Sequence, residues 1–213
     1  MSSQAAENRP AHPRTRGRPL KTEADYARVR LRILDATQAA YGDLGYHALN
    51  VNAILERAGL SRPTFYRHFN NLDEVVRLVI ARACEGLVDR FVNRIPTDAS
   101  VKEKMAHAVE LYLEWGESIG SLLRPLYVEL HDPLSPVSEL RPQVLVRIGD
   151  LYRKTVETEG LRIENDLLVD LMVTGIEFLG YRYLLERNSG RITKGMIKDA
   201  MSRLVACTLR IPA

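Results

Sequence analysis

The stretch that decides the fold runs from Ala58 to Asn71 and reads AGLSRPTFYRHFNN. Two of its residues, Phe65 and Phe69, are evident core residues, and their i, i+4 spacing places them on one face of a helix. A helix that only filled a core would carry a wider apolar stripe. The polar residues around the two phenylalanines therefore need an explanation other than folding, and they are Arg62, Thr64, Tyr66, Arg67 and His68.

The residues on either side of Gly59 predict a helix-turn-helix. Asn50 is a favourable N-cap for a short helix that ends at Gly59, and Ser61 is a favourable N-cap for the next helix. Pro63 falls in the first turn of that helix, where the backbone N–H groups have no intrahelical partner. With Gly59 and Leu60 in the turn, the phenylalanines pack inward and the polar side chains face outward. Such donors and a flat phenol suit base edges and phosphate oxygens.

A longer helix precedes this motif and is predicted from about Thr22 to Asp43. Its apolar residues recur with helical period, and Gly45 supplies the stop. Residues 22–70 are therefore predicted to form a three-helix DNA-binding domain. The residues that recur with helical period in this first helix are Ile33, Leu34, Thr37, Ala40, Tyr41 and Leu44.

Residues 1–21 are predicted to form a disordered basic arm, because they are polar, contain three prolines and show no periodicity. The arm contains RGRP, in which Arg16 and Arg18 flank a glycine. This pattern suits insertion into the DNA minor groove, where glycine lets the backbone approach the groove floor. The alternative is a solubilising tail, and a general attraction to phosphates is expected in either case.

Beyond residue 70 the sequence stays helical, which predicts an all-α fold of about nine helices. Residues 71–95 are predicted as a connecting helix that begins with a capping box of Asn71 and Glu74. Ser100 and Glu103 form a second capping box, from which a larger helical domain, residues 96–213, follows. Its later helices are predicted from about residue 142 to 159, 165 to 186 and 193 to 210.

Composition and charge exclude several classes of protein. A hydrophobic content of 46% and a charged content of 27% are typical of a globular protein. Cys84 and Cys207 lack the spacing of a disulfide framework or a zinc site, and no cofactor motif is present, so we expect no metal and no cofactor. The stretch from Leu167 to Leu185 is interrupted by charges and no signal peptide is visible, so we expect a cytoplasmic protein that does not enter a membrane.

The positive charge is concentrated at the N-terminal end. Residues 1–70 hold 11 Lys and Arg against 6 Asp and Glu, whereas the remainder holds 19 against 21. A basic N-terminal module is expected to contact a polyanion.

Residues 33–79 resemble the DNA-binding domain of the TetR family of bacterial transcription regulators. The resemblance rests on Ile33-Leu34-Asp35-Ala36, Gly45-Tyr46, Val51 and Ile54, Ala58-Gly59-Leu60-Ser61, Pro63-Thr64-Phe65-Tyr66 and His68-Phe69. It covers about a quarter of the chain, and it implies a C-terminal domain that binds a small-molecule effector and forms a homodimer. One position departs from the family pattern, because Leu72 stands where a phosphate-contacting lysine is usual.

The resemblance also implies which residues contact a double-stranded DNA operator. Arg62 and Arg67 are the candidates for base recognition, because a guanidinium can bind G O6 and N7 together. For Tyr66 and His68 the alternative is packing against the fourth helix. The implied contacts are Asn50, Asn52, Ser61, Arg62, Pro63, Thr64, Tyr66, Arg67 and His68.

The resemblance places an effector pocket among the middle helices and a dimer interface on the last two. A short recognition helix reads few base pairs, so a two-fold dimer on a palindrome is expected. For the pocket residues the alternative is ordinary packing, and for the interface it is a monomeric core. The pocket candidates are Tyr112, Trp115, Tyr127, His131, Tyr152, Phe178 and Tyr181. The interface candidates are Val169, Met172, Val173, Ile176, Ile197, Met201, Leu204 and Val205.

These features together predict a ligand-responsive, sequence-specific DNA-binding repressor that its effector releases from DNA. The rival hypothesis is a DNA-binding protein without sequence preference, or a helical adaptor without an effector. An enzyme is disfavoured, because the sequence lacks a Gly-rich phosphate loop, HExxH and GxSxG.

Overall fold

The computed structural model describes residues 22–209, and this part of the chain is helical with no β-strand. The all-α prediction is thereby confirmed. Arg16 and Arg18, and residue 210 of the last predicted helix, lie outside the described residues. The helices are α1 (Glu23–Ala48), α2 (Val51–Ala58), α3 (Arg62–Tyr66), α4 (Leu72–Arg94), α5 (Val101–Ile119), α6 (Leu123–His131), α7 (Leu140–Thr158), α8 (Asp166–Glu186) and α9 (Lys194–Ala206).

Two glycines in left-handed conformation shape the N-terminal domain. Gly45 has φ 71° and breaks α1, but the chain resumes one more helical turn and ends at Ala48 instead of Asp43. Gly59 has φ 58° and ends α2, as its position after Ala58 predicts. The helix-turn-helix therefore owes its turn to a residue without a Cβ.

The recognition helix α3 is only five residues long and is held by its two phenylalanines. Phe65 and Phe69 are fully buried, with ring centroids 5.7 Å apart, in a cluster with Ile33 of α1 and Ile54 of α2. A helix this short is not stable alone, so its orientation comes from this packing.

Helix α4 is capped by one half of the predicted box. The Asn71 side chain accepts a hydrogen bond from the Glu74 N–H at 2.8 Å. The Glu74 carboxylate does not return to Asn71, because it accepts from the backbone and side-chain amides of Asn70 at 2.7 and 2.9 Å. Both halves of the box at Ser100 and Glu103 are formed.

Helices α5 to α9 build the larger domain, in which α8 packs against α5, α6, α7 and α9. One hydrophobic cluster continues without interruption from Ile33 in α1 to Met201 in α9, and α4 contributes to it along much of its length. A smaller cluster around Tyr152 joins α7, α8 and α9. Within residues 22–209, no helix combines the length and apolarity that a membrane crossing requires.

Two helical glycines allow a matched test of this packing. A Cβ on Gly180 in α8 would lie 2.0 Å from Cε1 of Tyr112, whereas a Cβ on Gly86 in α4 would meet only Arg90 Nη1, at 3.5 Å. We expect Gly180→Ala to lower the free energy of unfolding by about 1–3 kcal/mol through overpacking. Gly86→Ala should raise it by up to ~1 kcal/mol through helix propensity. Urea unfolding of both variants measures the difference, and equal effects would contradict the close α5–α8 approach.

Candidate DNA-binding face and ligand cavity

The outer face of α3 is exposed and basic. Arg62, Pro63, Tyr66 and Arg67 are exposed, and Tyr66 retains 48% of its accessible surface. Neither Arg62 nor Arg67 forms an ion pair with any residue between 22 and 209. Two exposed guanidinium groups with unused donors therefore lie at the two ends of α3, one on its first residue and one on the residue after its last, as base or phosphate recognition requires.

The start of α3 is stabilised differently from the expectation. Ser61 occupies the N-cap position, but its hydroxyl makes no capping bond and lies 2.9 Å from the hydroxyl of Thr64. The Ser61 carbonyl accepts from the N–H groups of Thr64 and Phe65 at 2.9 and 3.1 Å. Both hydroxyls stay on the outer side of α3, where a phosphate oxygen could exchange with either.

The two asparagines at the start of α2 have different surroundings. Asn50 caps α2, because its Oδ1 accepts from the Ala53 N–H at 3.1 Å and its amide donates to the Ala48 carbonyl at 3.3 Å. Asn52 is exposed on the first turn. A DNA contact by the Asn50 side chain would compete with its capping bond. The Asn52 side chain makes no capping bond, so it could contact DNA without that competition.

His68 is buried, unlike the neighbouring residues predicted to contact DNA. Only 6% of this residue is exposed, and its ring lies 4.1 Å from that of Tyr26 in α1. Its ring contact is thus made with α1, whereas the alternative considered from the sequence was packing against α4. Arg30 completes the arrangement by donating to the His68 carbonyl at 2.8 Å while its guanidinium lies 4.4 Å from the ring centre of Phe69. Tyr26 and Arg30 carried no signal in the sequence, since their role depends on a contact across about 40 residues.

Leu72 contributes to the fold at the position where a lysine is usual. It is half-buried and packs against the hydrophobic cluster that contains Phe65 and Phe69. The backbone N–H of Asn70 and one N–H of its side-chain amide donate to Glu74, so only the second side-chain N–H of this neighbour is left to replace the missing lysine. Asn71 is exposed and uses only its side-chain oxygen in the cap of α4, so its amide N–H groups remain available to a phosphate.

The C-terminal domain contains a cavity of about 510 Å³ among α4, α5, α6, α7 and α8. Five of the seven pocket candidates line it, namely Tyr112, Trp115, Tyr127, Tyr152 and Tyr181. Much of the remaining lining is aliphatic, including Leu87, Leu123, Leu126, Leu145 and Ile148.

Three of the five aromatic lining residues use their polar atoms in hydrogen bonds within the protein. The Trp115 indole N–H donates to the Ala83 carbonyl in α4 at 2.8 Å, and the Tyr112 hydroxyl donates to the Glu177 carbonyl at 3.0 Å. The hydroxyls of Tyr152 and Thr208 are hydrogen-bonded to each other. Burial raises the pKa of Tyr112 and of the Cys84 thiol, the latter to about 12, so both are uncharged at neutral pH. These groups present mainly apolar surface to the cavity.

Two pocket candidates lie outside the lining. Phe178 is 51% exposed on the outer surface of α8, which corrects its assignment to the pocket. His131 is exposed and stacks on Tyr127 with a centroid distance of 3.9 Å, so it supports the cavity wall from behind.

The sequence did not predict the charged residues of the cavity lining. Arg141 of α7 donates to both carboxylate oxygens of Glu177 in α8, with Nη2 at 2.6 Å and Nε at 3.0 and 3.1 Å. Lys104 of α5 is 8% exposed and pairs with Glu159 at 2.5 Å, and Lys154 of α7 also lines the cavity. The one sequence feature that indicated a charged group in the lining was Glu177, which interrupts the apolar stretch 167–185. The sequence alone does not show which residues Glu177 faces.

The predicted dimer interface is corrected by the burial of its residues. Val169, Met172, Val173, Ile197, Met201 and Val205 are buried in the subunit's own core, and Ile176 and Leu204 are half-buried. Four of these residues, Met172, Val173, Ile176 and Val205, line the cavity. The apolar surface that α8 and α9 leave exposed consists instead of Leu167, Leu171, Phe178, Leu185 and Met196, hereafter the outer stripe.

Among the described residues, no three His, Cys, Asp or Glu side chains lie close enough together to hold a metal ion.

Comparison with known proteins supports the interpretation of residues 33–79, which match the family of bacterial regulatory proteins described as the tetR family. The HTH-type transcriptional activator FasR of Mycolicibacterium smegmatis is 31% identical over 52% of this chain and 49% of its own length. The fatty acid metabolism regulator protein of Bacillus subtilis is 28% identical over 36% of this chain and 39% of its own. The matched region thus spans about half or less of the length of these relatives.

A solved structure shows that the whole fold is shared. A transcriptional regulator from Rhodococcus sp. RHA1 superposes with a TM-score of 0.72 at 15% identity, covering 86% of this chain and 99% of that chain. At this identity the likeness concerns the fold alone. With the match at residues 33–79, it confirms the predicted architecture of a helix-turn-helix domain followed by a larger helical domain.

The burial of His68 generates a prediction about stability. We expect His68→Ala to lower the free energy of unfolding by about 1–3 kcal/mol, because it removes a buried ring from the contact with Tyr26. His68→Phe, which preserves the ring stacking, should cost less. The measurement is urea unfolding together with DNA affinity under conditions where both variants are folded. A loss of DNA affinity in the folded His68→Phe variant would support a direct contact between His68 and DNA.

Proposed function

We propose that this protein, which carries the TetR-family DNA-binding domain, is a transcription regulator that binds a palindromic operator as a homodimer in the cytoplasm. In this proposal a small molecule in the C-terminal cavity releases it from DNA, so that it acts as a repressor. The observation that carries the proposal is the exposed pair Arg62 and Arg67 on a helix whose other face is anchored by Phe65 and Phe69. A second candidate is an activator, because the FasR relative is named as one.

The recognition helix is arranged for the major groove of DNA. Its exposed side carries two arginines and Tyr66, and its buried side fixes their direction. Arginine bidentate to guanine is the commonest specific base contact and contributes about 1–3 kcal/mol of discrimination. Tyr66, Ser61 and Thr64 are placed to contact phosphates and set the register of α3.

The outer stripe supports a two-fold dimer. Leu167, Leu171, Phe178 and Leu185 recur along one side of α8, and Leu167 retains 72% of its accessible surface. An exposed apolar surface of this kind favours association, and two antiparallel copies of α8 could cover each other. Dimerisation would present two copies of α3 about one helical turn of DNA apart, ~34 Å.

The cavity supports a ligand with a long apolar chain. Its volume of about 510 Å³ falls within the usual range for ligand sites, and its lining is mainly aliphatic and aromatic. Each buried methylene of a ligand contributes about 0.8 kcal/mol. The name of the Bacillus subtilis relative refers to fatty acid metabolism. We therefore propose a fatty acyl compound as the effector.

Direct contacts connect the cavity wall to the DNA-binding domain through α4. Trp115 of the wall donates to the Ala83 carbonyl in α4. The adjacent Arg82 pairs with Asp35 of α1 at 2.9 Å and donates to Gln38 of α1 at 2.7 Å. A ligand that displaces α4 would therefore also shift α1 and the recognition helix packed on it. A ligand that prefers the DNA-incompetent state a hundredfold would weaken operator binding by up to ~2.7 kcal/mol.

The DNA-binding proposal is tested by selecting bound duplexes from a random pool and measuring affinity for the selected and random sequences. We expect Arg62→Ala and Arg67→Ala each to lose about 1–3 kcal/mol on the selected site and much less on random DNA. Removal of residues 1–21 should weaken binding to both sequences. Arg191→Ala, an exposed arginine of the larger domain, serves as the control. Equal affinity of the wild type for both DNAs would favour the rival hypothesis of binding without sequence preference.

The dimer proposal is tested on the outer stripe. Phe178→Asp places a charge in the apolar surface and should convert the dimer to a monomer in light scattering at micromolar concentration. Met172→Leu, a conservative change among the buried residues of α8, should leave the mass unchanged. A wild-type mass of one chain would refute the proposed interface.

The ligand proposal is tested with the intrinsic fluorescence of Trp115, the single tryptophan of the chain, which lines the cavity. Titration with hexadecanoate should change its emission saturably and lower operator affinity. Ile148→Trp fills part of the aliphatic wall and should weaken the response, whereas Val146→Trp, at an exposed position two residues earlier, should not. Calorimetry gives the affinity of both variants without relying on the added fluorophore. Absence of binding to the wild type would exclude this class of effector.

A further inference from the structure

The cavity has two ends with different electrostatic character. The first, here the inner end, is formed by Tyr127, Arg141, Glu177 and Tyr181. The second, here the outer end, is formed by Thr97, Lys104, Lys154 and Thr158. Both ends are connected by the aliphatic lining described above.

Contacts between helices show that these ends are far apart. Lys104 near the start of α5 pairs with Glu159, which follows the last residue of α7. Arg141 at the start of α7 pairs with Glu177, whose carbonyl accepts from Tyr112 farther along α5. Helices α5 and α7 therefore run in opposite directions along the cavity. From Arg141 to Thr158, at ~1.5 Å per residue, the separation along α7 is about 26 Å.

At the inner end the two charges neutralise each other, and stacked rings border the cavity. The guanidinium of Arg141 and the carboxylate of Glu177 satisfy each other through three hydrogen bonds. Behind them Tyr181, Tyr127 and His131 form a stack, with centroid distances of 3.6 and 3.9 Å. A ligand carboxylate at this end would add a second negative charge beside Glu177, whose carboxylate already occupies Arg141, which is unfavourable.

The outer end carries an uncompensated positive charge and meets solvent. Lys104 is balanced by Glu159, but Lys154 has no ion pair among the described residues. Thr97, Lys154 and Thr158 are exposed as well as lining the cavity, so the opening lies between them. An anionic group at this end keeps much of its hydration and gains a cation.

We propose that the acyl ligand binds with its carboxylate at the outer end, beside Lys154, and its chain directed inward. The Arg141–Glu177 pair then closes the inner end against the chain terminus, and Lys154 is a specificity-determining residue for an anionic head group. This inference rests on the proposed acyl ligand and adds its orientation.

The test compares hexadecanoate with hexadecanol, which has the same chain and a neutral head group, by calorimetry. Lys154→Gln should weaken hexadecanoate about fivefold, the effect of one partly exposed charge contact, and leave hexadecanol unchanged. Lys102→Gln, an exposed lysine of α5 that does not line the cavity, should change neither affinity. Equal effects of Lys154→Gln on both ligands would overturn the orientation.

A second variant examines the opposite orientation. Replacing Arg141 and Glu177 together by glutamine removes both charges without leaving one unpaired, and should change the affinities for hexadecanoate and hexadecanol by the same factor. A selective loss of hexadecanoate in this variant would place the carboxylate at the inner end and overturn the proposal.

The outcomes separate the two levels of inference. A wild type that binds neither ligand refutes the acyl effector and, with it, the orientation. A wild type that binds both ligands, without a selective effect of Lys154→Gln, retains the acyl effector and refutes the orientation alone.

Discussion

The burial of Phe65 and Phe69 is the constraint on which the DNA-binding face depends. Helix α3 has five residues, so intrahelical hydrogen bonds contribute little to its stability, and side-chain packing fixes its direction. The same packing decides which residues remain outside. Arg62, Tyr66 and Arg67 stay exposed because the two rings occupy the inner face, and His68 is drawn inside because it precedes Phe69 and meets α1.

Helix α4 connects this packing around α3 to the core of the larger domain. Its buried residues belong to the cluster that anchors α3, and the same cluster continues to the residues around Trp115. The two domains therefore share one hydrophobic cluster that runs from α1 through α4 to α5. Well-packed interiors transmit displacement because they have few voids to absorb it. This packing is the physical basis for the proposed coupling between the cavity and the recognition helix.

The charged groups of the cavity are costly for stability, which is why they bear on function. A buried ion pair rarely contributes more than a hydrophobic replacement would, because both charges lose their hydration. Arg141 and Glu177 are mostly buried and stand in an otherwise apolar wall, and Lys104 is almost fully buried against Glu159. Their placement at opposite ends of an elongated cavity fits the proposed binding of a ligand with one charged end.

The sequence by itself determined the all-α class, most helix starts and the inward direction of the phenylalanines, because caps, glycines and periodicity act locally. It also identified Arg62 and Arg67 as exposed residues and five aromatic residues of the cavity. Only the tertiary structure placed His68 against Tyr26, moved Phe178 to the outer stripe and put Arg141 beside Glu177. These positions depend on contacts between helices far apart in sequence, and a helix buried on several sides, such as α8, has no periodicity that distinguishes core, cavity and outer surface.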